Sequence, residues 1–228
     1  MQLPLPIQLN ASQGFDNFVS ADDAFLLETL KQFASGKGES LVYLWGVKAS
    51  GKTHLLHAIC QQASNNQLSV SYLPLAELIN YPVDVLDGQQ EFDMVCIDDL
   101  QCIIEKSDWQ QAVFNLFNRI REKKGRLIFT AEASPKSIGF ELQDLVSRLE
   151  WGLVFHLQPL DDEHKIKALQ MRAHLKGLEL TDEIATYVLK RFTRDMNALF
   201  EVLDKLDEAS LIKQRKITIP FIREVFEI

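Results

Sequence analysis

Gly46-Val47-Lys48-Ala49-Ser50-Gly51-Lys52-Thr53 fits the phosphate-loop pattern G-x-x-x-x-G-K-[ST]. Leu41-Val42-Tyr43-Leu44-Trp45 ahead of it reads as a buried strand, and His54-Leu55-Leu56-His57-Ala58-Ile59 behind it as a helix. A chance Gly/Lys turn would lack that strand and helix. The chemistry follows from the backbone. Glycines allow several N–H groups to turn inward on a phosphate, and the new helix aims its positive end at the same point. The expected cofactor-binding set here is Gly46, Ser50, Gly51, Lys52, Thr53 and His54. Lys52 would bridge the outer phosphates and Thr53 would hold a magnesium ion.

A second acidic feature lies downstream. In Asp93-Met94-Val95-Cys96-Ile97-Asp98-Asp99 an apolar run ends in two carboxylates. That suits a strand buried on both faces whose tip meets the ligand. Asp98 would hold magnesium, mostly through water, and Asp99 would polarise an attacking water. Asp99 stands where nucleotidases of this kind usually carry the longer Glu, which predicts slow turnover. An N-cap pair is the alternative for the two acids. Arg126-Leu127-Ile128-Phe129-Thr130 is another strand ending in a hydroxyl. Thr130 reads as a sensor of the outer phosphate or as ordinary strand-end polarity.

Strands at 70–73 and 153–157 and helices at 24–33, 108–124 and 144–152 complete an alternation of strand and helix. The last of these helices is expected to end at Gly152. The alternation predicts an α/β fold, a parallel sheet flanked by helices. Arg148, near the end of the 144–152 helix, is a candidate finger for a neighbour's nucleotide, with a surface salt bridge as the alternative. From 159 onward the pattern is wholly helical, with Gly177 and Thr181 as helix-end signals and a third helix from about Arg194. Arg194 would reach over the phosphates or stay at the surface. The expected divisions are a tail at 1–11, a nucleotide-binding base at 12–158 and a small helical lid at 159–228.

Composition narrows the classes. The 228 residues carry a net charge of -8, which disfavours a surface that grips nucleic acid throughout. Cys60, Cys96 and Cys102 lack metal spacing, and their apolar settings suit reduced thiols in the cytoplasm. No run is as long as a membrane span and no secretion signal opens the chain. His54 and His57, three apart without a third ligand, read as packing residues rather than a metal site. Near the start, Gln2-Leu3-Pro4-Leu5-Pro6-Ile7 is held extended by alternate prolines. Its apolar residues share one side, for another protein's groove or for the chain's own surface. Phe15 and Phe18, before Val19, would pin a base or staple the next helix.

Taken together these stretches resemble the AAA+ ATPases, and among them the bacterial replication initiator DnaA. Phe15-Asp16-Asn17-Phe18-Val19 looks like the initiator's adenine-side box, which implies nucleotide contacts for Phe15 and Val19. Asp98-Asp99-Leu100-Gln101 resembles its Walker B, Ser147-Arg148-Leu149 with Trp151-Gly152-Leu153 its arginine-finger box, and Lys190-Arg191-Phe192 with Arg194 its sensor 2. Glu132-Ala133 replaces the initiator's Asp-Arg pair, which implies little hydrolysis in cis. The chain stops after the lid, where the initiator continues into a DNA reader. Its first residues look like a sliding-clamp-binding motif made by Gln2, Leu3, Leu5 and Ile7. Such a core with such a tail resembles the Hda family. That resemblance implies ADP (or ATP) with Mg2+ between base and lid, and docking on the beta-subunit clamp of DNA polymerase III. It also implies stimulated hydrolysis of ATP on DnaA through Arg148, with DNA contact weak or indirect, no membrane, and the homo-oligomer left open. A self-sufficient ATPase such as a helicase loader, or an adaptor with a structural pocket, are the rival readings.

Overall fold

Five short apolar runs pair side by side because each of the first four is followed by a helical segment that carries the chain back to start the next parallel strand. In the computed structural model, which describes residues 13–20 and 24–227, the strands are β1 (Leu41–Trp45), β2 (Val70–Pro74), β3 (Met94–Asp98), β4 (Arg126–Ala131) and β5 (Leu153–His156). They stand in the order β2-β3-β4-β1-β5, all parallel. The crossovers contain α2 (Lys52–Asn65), the short α3 (Leu75–Leu78), α4 (Ser107–Glu122) and α5 (Gln143–Leu149), while α1 (Ala24–Ala34) precedes β1. β3 is buried along its whole length. Both its faces are covered, so its sequence is a continuous apolar run rather than an alternation. β5, at the sheet edge, alternates half-buried and exposed residues.

α4 shows the 3.6-residue rule at work. Trp109, Val113, Leu116, Phe117 and Ile120 form its buried face, and burying each such side chain contributes about 1.5–3 kcal/mol. One polar residue sits in that face. Gln110 is 1% exposed, yet its amide donates to the carbonyls of Ile103 and Ile104 and accepts from the Leu142 N–H. A buried amide is tolerated because it is satisfied, and it ties the loop after β3 to the start of α5. The 36–39 turn before β1 is held from β4, where the Arg126 guanidinium donates to the carbonyls of Lys37 and Glu39.

One sequence expectation needs correction. The helix predicted over 144–152 stops at Leu149, with Glu150 as its C-cap. Gly152 is not its terminator. It lies where β5 begins, and a Cβ there would stand 2.2 Å from the Leu41 carbonyl oxygen. Close approach to β1, not helix termination, requires glycine.

The helical remainder forms a second compact unit. Among the described residues it gathers 160–227 together with 16–20, while 13–15 and 24–159 form the first. Its helices are α6 (Asp162–Leu175), α7 (Asp182–Arg191), α8 (Met196–Lys213) and α9 (Ile219–Phe226). Each starts on a side-chain cap: Asp161 accepts from the His164 N–H, Thr181 from Ile184, Asp195 from Ala198 and Thr218 from Phe221. Such caps contribute about 0.5–2 kcal/mol apiece. Asp195 rather than Arg194 opens the third of these helices. Leu169, Val188, Leu199, Leu203, Phe221 and Ile222 fill the interior. Among the described residues no helix is long and apolar enough to cross a membrane.

Candidate functional site

The phosphate-loop octet connects β1 to α2 at the carboxyl edge of the sheet. Gly46 is buried, and a Cβ on it would lie 2.5 Å from the Leu157 carbonyl oxygen and 2.8 Å from Ser50 Oγ. Gly51, at φ 95°, caps α2 in the left-handed region. Ala49 is also left-handed, at φ 61°, a conformation that costs an ordinary residue roughly 1–2 kcal/mol. Lys52 is 6% exposed and its ammonium donates to the carbonyls of Gly46 (2.8 Å) and Val47 (2.9 Å). Burial lowers its pKa, opposed by the carboxylates of Asp99, Glu132 and Asp98. Ser50 Oγ is buried with no hydrogen-bond partner among the described residues. An orphaned hydroxyl beside a buried cation and a helix N-terminus is completed by an anionic oxygen. These residues therefore fit a phosphate. Thr53 is exposed on the first turn of α2, and the His54 ring is 2.9 Å from the Gly14 carbonyl oxygen.

β3 ends between β2 and β4, and side chains from both grip its terminal acid. Asp98 is 1% exposed and accepts hydrogen bonds from the Tyr72 hydroxyl at 2.8 Å and from the Thr130 hydroxyl. Thr130 in turn accepts from the Asp99 N–H at 3.0 Å. Its hydroxyl thus bridges the two acids at the strand tip. Tyr72 had no sequence signal, because its reach depends on register. It pairs with Cys96, two residues short of Asp98, and its ring spans the gap. His57 meets the Tyr72 ring edge-on at 4.9 Å, and burial lowers its pKa. Among the described residues no group of three or more His, Cys, Asp or Glu forms a cage for a metal ion. A magnesium ion would then take most of its ligands from phosphates and water, beside Asp98 and Thr53.

Asp99 turns the chain sharply at φ 61°, and its Oδ1 accepts from the Gln101 amide at 2.8 Å. Burial, then the neighbouring Asp98 charge, raise its pKa above the ordinary carboxylate value. A raised folded-state pKa means that the native state binds more protons than the unfolded one. Stability therefore falls as pH rises from the unfolded pKa of 3.8 through the folded value. Above that window the loss persists in full. Asp99→Asn removes the charge, keeps the acceptor for Gln101 and suits the left-handed turn. The variant is expected to melt at a higher temperature than the parent at pH 7 and to lose this slope in acid. Equal melting curves across pH 4–8 would contradict the assignment.

The remaining sequence-selected residues spread over both units. Phe15 is buried in the first, with Lys31 Nζ 6.0 Å from its ring centre. In the second, Val19 and Phe18 line an open hollow against His164, Met171 and His174 of α6. Arg194, in the same unit, pairs with Asp162 at 3.4 Å, both exposed, an arrangement worth little by itself. Arg148 occupies the last turn of α5, half-buried, its guanidinium 3.9 Å from the ring centre of Trp151. Glu132 follows β4 directly and is exposed. Gln2, Leu3, Leu5 and Ile7 lie outside the described residues. Cys60 and Cys96 are free and buried, with their sulfurs 3.5 Å apart.

A phosphate loop beside an acid-tipped strand, in a β2-β3-β4-β1-β5 parallel sheet with a separate helical unit, defines an AAA+ P-loop fold. The model of the bacterial DnaA ATPase domain matches residues 9–156, and that of the Hda lid domain matches residues 162–226. The chain belongs to the bacterial DnaA ATPase-domain family and is an Hda-like, DnaA-homologous AAA+ protein. Domain III of the Thermotoga maritima replication initiation protein DnaA superimposes with a TM-score of 0.83 at 25% identity, over 97% of this chain and 98% of that one. AMPPCP-bound DnaA from Aquifex aeolicus gives 0.70 at 23% identity, over 90% and 66%. The Thermotoga maritima RuvB branch migration motor gives 0.71 at 13%, over 94% and 71%, a likeness of fold alone.

Proposed function

We propose that this protein inactivates the initiator DnaA by stimulating hydrolysis of its bound ATP, in the cytoplasm and after docking on the DNA-loaded sliding clamp. Its own site holds ADP (or ATP) with Mg2+, through Gly46, Ser50, Gly51, Lys52, Thr53 and His54, with Asp98 near the metal. Phe15 belongs to the same nucleotide site, which orders the chain rather than turning over quickly. The observation that carries this reading is Arg148: its guanidinium, with no carboxylate ion-pair partner among the described residues, lies on the exposed ring of Trp151. Set against DnaA's ATP pocket, it would neutralise charge that builds on the transferring phosphoryl oxygens.

The tail supplies effective concentration. Gln2, Leu3, Leu5 and Ile7 on the beta subunit of DNA polymerase III would hold Arg148 where DnaA assembles, without any added contact to DnaA itself. The test is hydrolysis of DnaA-bound ATP with and without loaded clamp. Clamp-dependent stimulation is expected, and the Gln2→Ala/Leu3→Ala variant should lose that dependence while retaining nucleotide binding. Unchanged clamp capture by this variant would remove the tail from the proposal. The acid pair beside Lys52 favours one other reading, a self-sufficient ATPase such as a helicase loader. Steep activation of the protein's own hydrolysis by single-stranded DNA would select it.

A further inference from the structure

Three segments of the first unit meet at one indole. Trp151, between α5 and β5, is 51% exposed although its ring meets buried Phe117 edge-on at 6.3 Å. The Arg148 guanidinium lies 3.9 Å from its ring centre, and that of Arg121, in the last turn of α4, lies 4.2 Å away. Neither guanidinium forms an ion pair with a carboxylate among the described residues, and the adjacent Glu150 pairs with Lys136 at 3.2 Å. Glu39 lines a small cavity with Arg121 and Trp151 but forms no ion pair with Arg121. Two cations drawn onto one ring repel each other, and an anion placed between them converts that repulsion into attraction.

We propose that Trp151 is a positioning residue for Arg148, and that Arg121 supplies a second guanidinium. Together the two arginines receive the polyphosphate of a nucleotide held by a partner AAA+ subunit. This rests on the finger reading of Arg148 and adds the groups that set its aim. The ring fixes the guanidinium plane before the partner arrives, so less side-chain freedom is lost on docking. A nucleic-acid backbone is the poorer match. It calls for a basic stripe and bare aromatic faces for stacking. Here the cations occupy the ring, on a chain of net charge -8.

The test measures the hydrolysis rate of DnaA-bound ATP against the concentration of full-length variants, so that maximal rate and half-saturation separate. Trp151→Leu keeps an apolar side chain but loses the π face; its maximal rate is expected to fall roughly threefold to thirtyfold, with little change in half-saturation. Trp151→Phe should restore most of that rate, and Arg121→Gln should lower it without rescue. Suppose Arg148→Ala is inactive while Trp151→Leu matches the parent, or Leu and Phe lose equally. The positioning role then fails and the finger reading stands. Full stimulation by Arg148→Ala would instead fell both. A labelled single-stranded oligonucleotide, bound by the parent but not by Arg121→Gln or Trp151→Leu, would reassign the cluster to nucleic acid and overturn the proposal.

Discussion

Arg148→Ala is expected to lower the stimulated hydrolysis of DnaA-bound ATP by about 10³-fold or more, the scale on which arginine fingers act. The size follows from when the contact is made. A guanidinium that meets the phosphoryl oxygens only as charge builds on them contributes to the transition state and not to the ground state. Loss should therefore appear in the maximal rate and not in clamp or nucleotide binding. Folding is a poor alternative cause. Arg148 is half-buried on a helix end, and its contact with Trp151 is worth about 0.5–1 kcal/mol at an exposed site. Arg148→Lys should recover little, because an ammonium lacks the planar fork that engages two oxygens. A parental rate for Arg148→Ala would refute the role.

Lys52→Ala is expected to weaken nucleotide binding by about a hundredfold, read as the affinity for a fluorescent ADP analogue. Two charge-assisted hydrogen bonds to phosphate are worth about 1.5–3 kcal/mol each, part of which is returned by the pair now made to loop carbonyls. Those carbonyls belong to Gly46 and Val47. Burial disfavours the charged ammonium, which offsets the loss of its two hydrogen bonds, so the melting temperature of the nucleotide-free protein should change little. Added ADP should raise that temperature in the parent, and the variant should need about a hundredfold more ADP for the same rise. A nucleotide-free Lys52→Ala protein that still stimulates DnaA fully would show that the pocket is structural. An unchanged ADP affinity would contradict the phosphate-loop assignment itself.

The fold was legible because its signals are local. A glycine-rich octet between an apolar run and a helical one, and an apolar strand ending in Asp98-Asp99, each state their conformation within a dozen residues. Helix ends at Thr181 and Gly177 were legible for the same reason, since these residues act on their nearest backbone neighbours. The ordered set of boxes also carried the family, because each box keeps its residues contiguous in sequence.

Tertiary structure decided what those residues touch. Tyr72 and Thr130 hold Asp98 because parallel register sets β2 and β4 beside the tip of β3. Gly152 reads as a helix stop from sequence and proves to be a place where β5 passes close to β1. Arg121 joins Arg148 on Trp151 only after α4 and α5 have packed, bringing together groups that no spacing rule connects. Sequence set the backbone's local conformations, since these depend on dihedral preference and on partners a few residues away. Hydrogen-bond and ring partners distant along the chain depend on strand order and helix packing, which follow from burying the whole apolar surface at once.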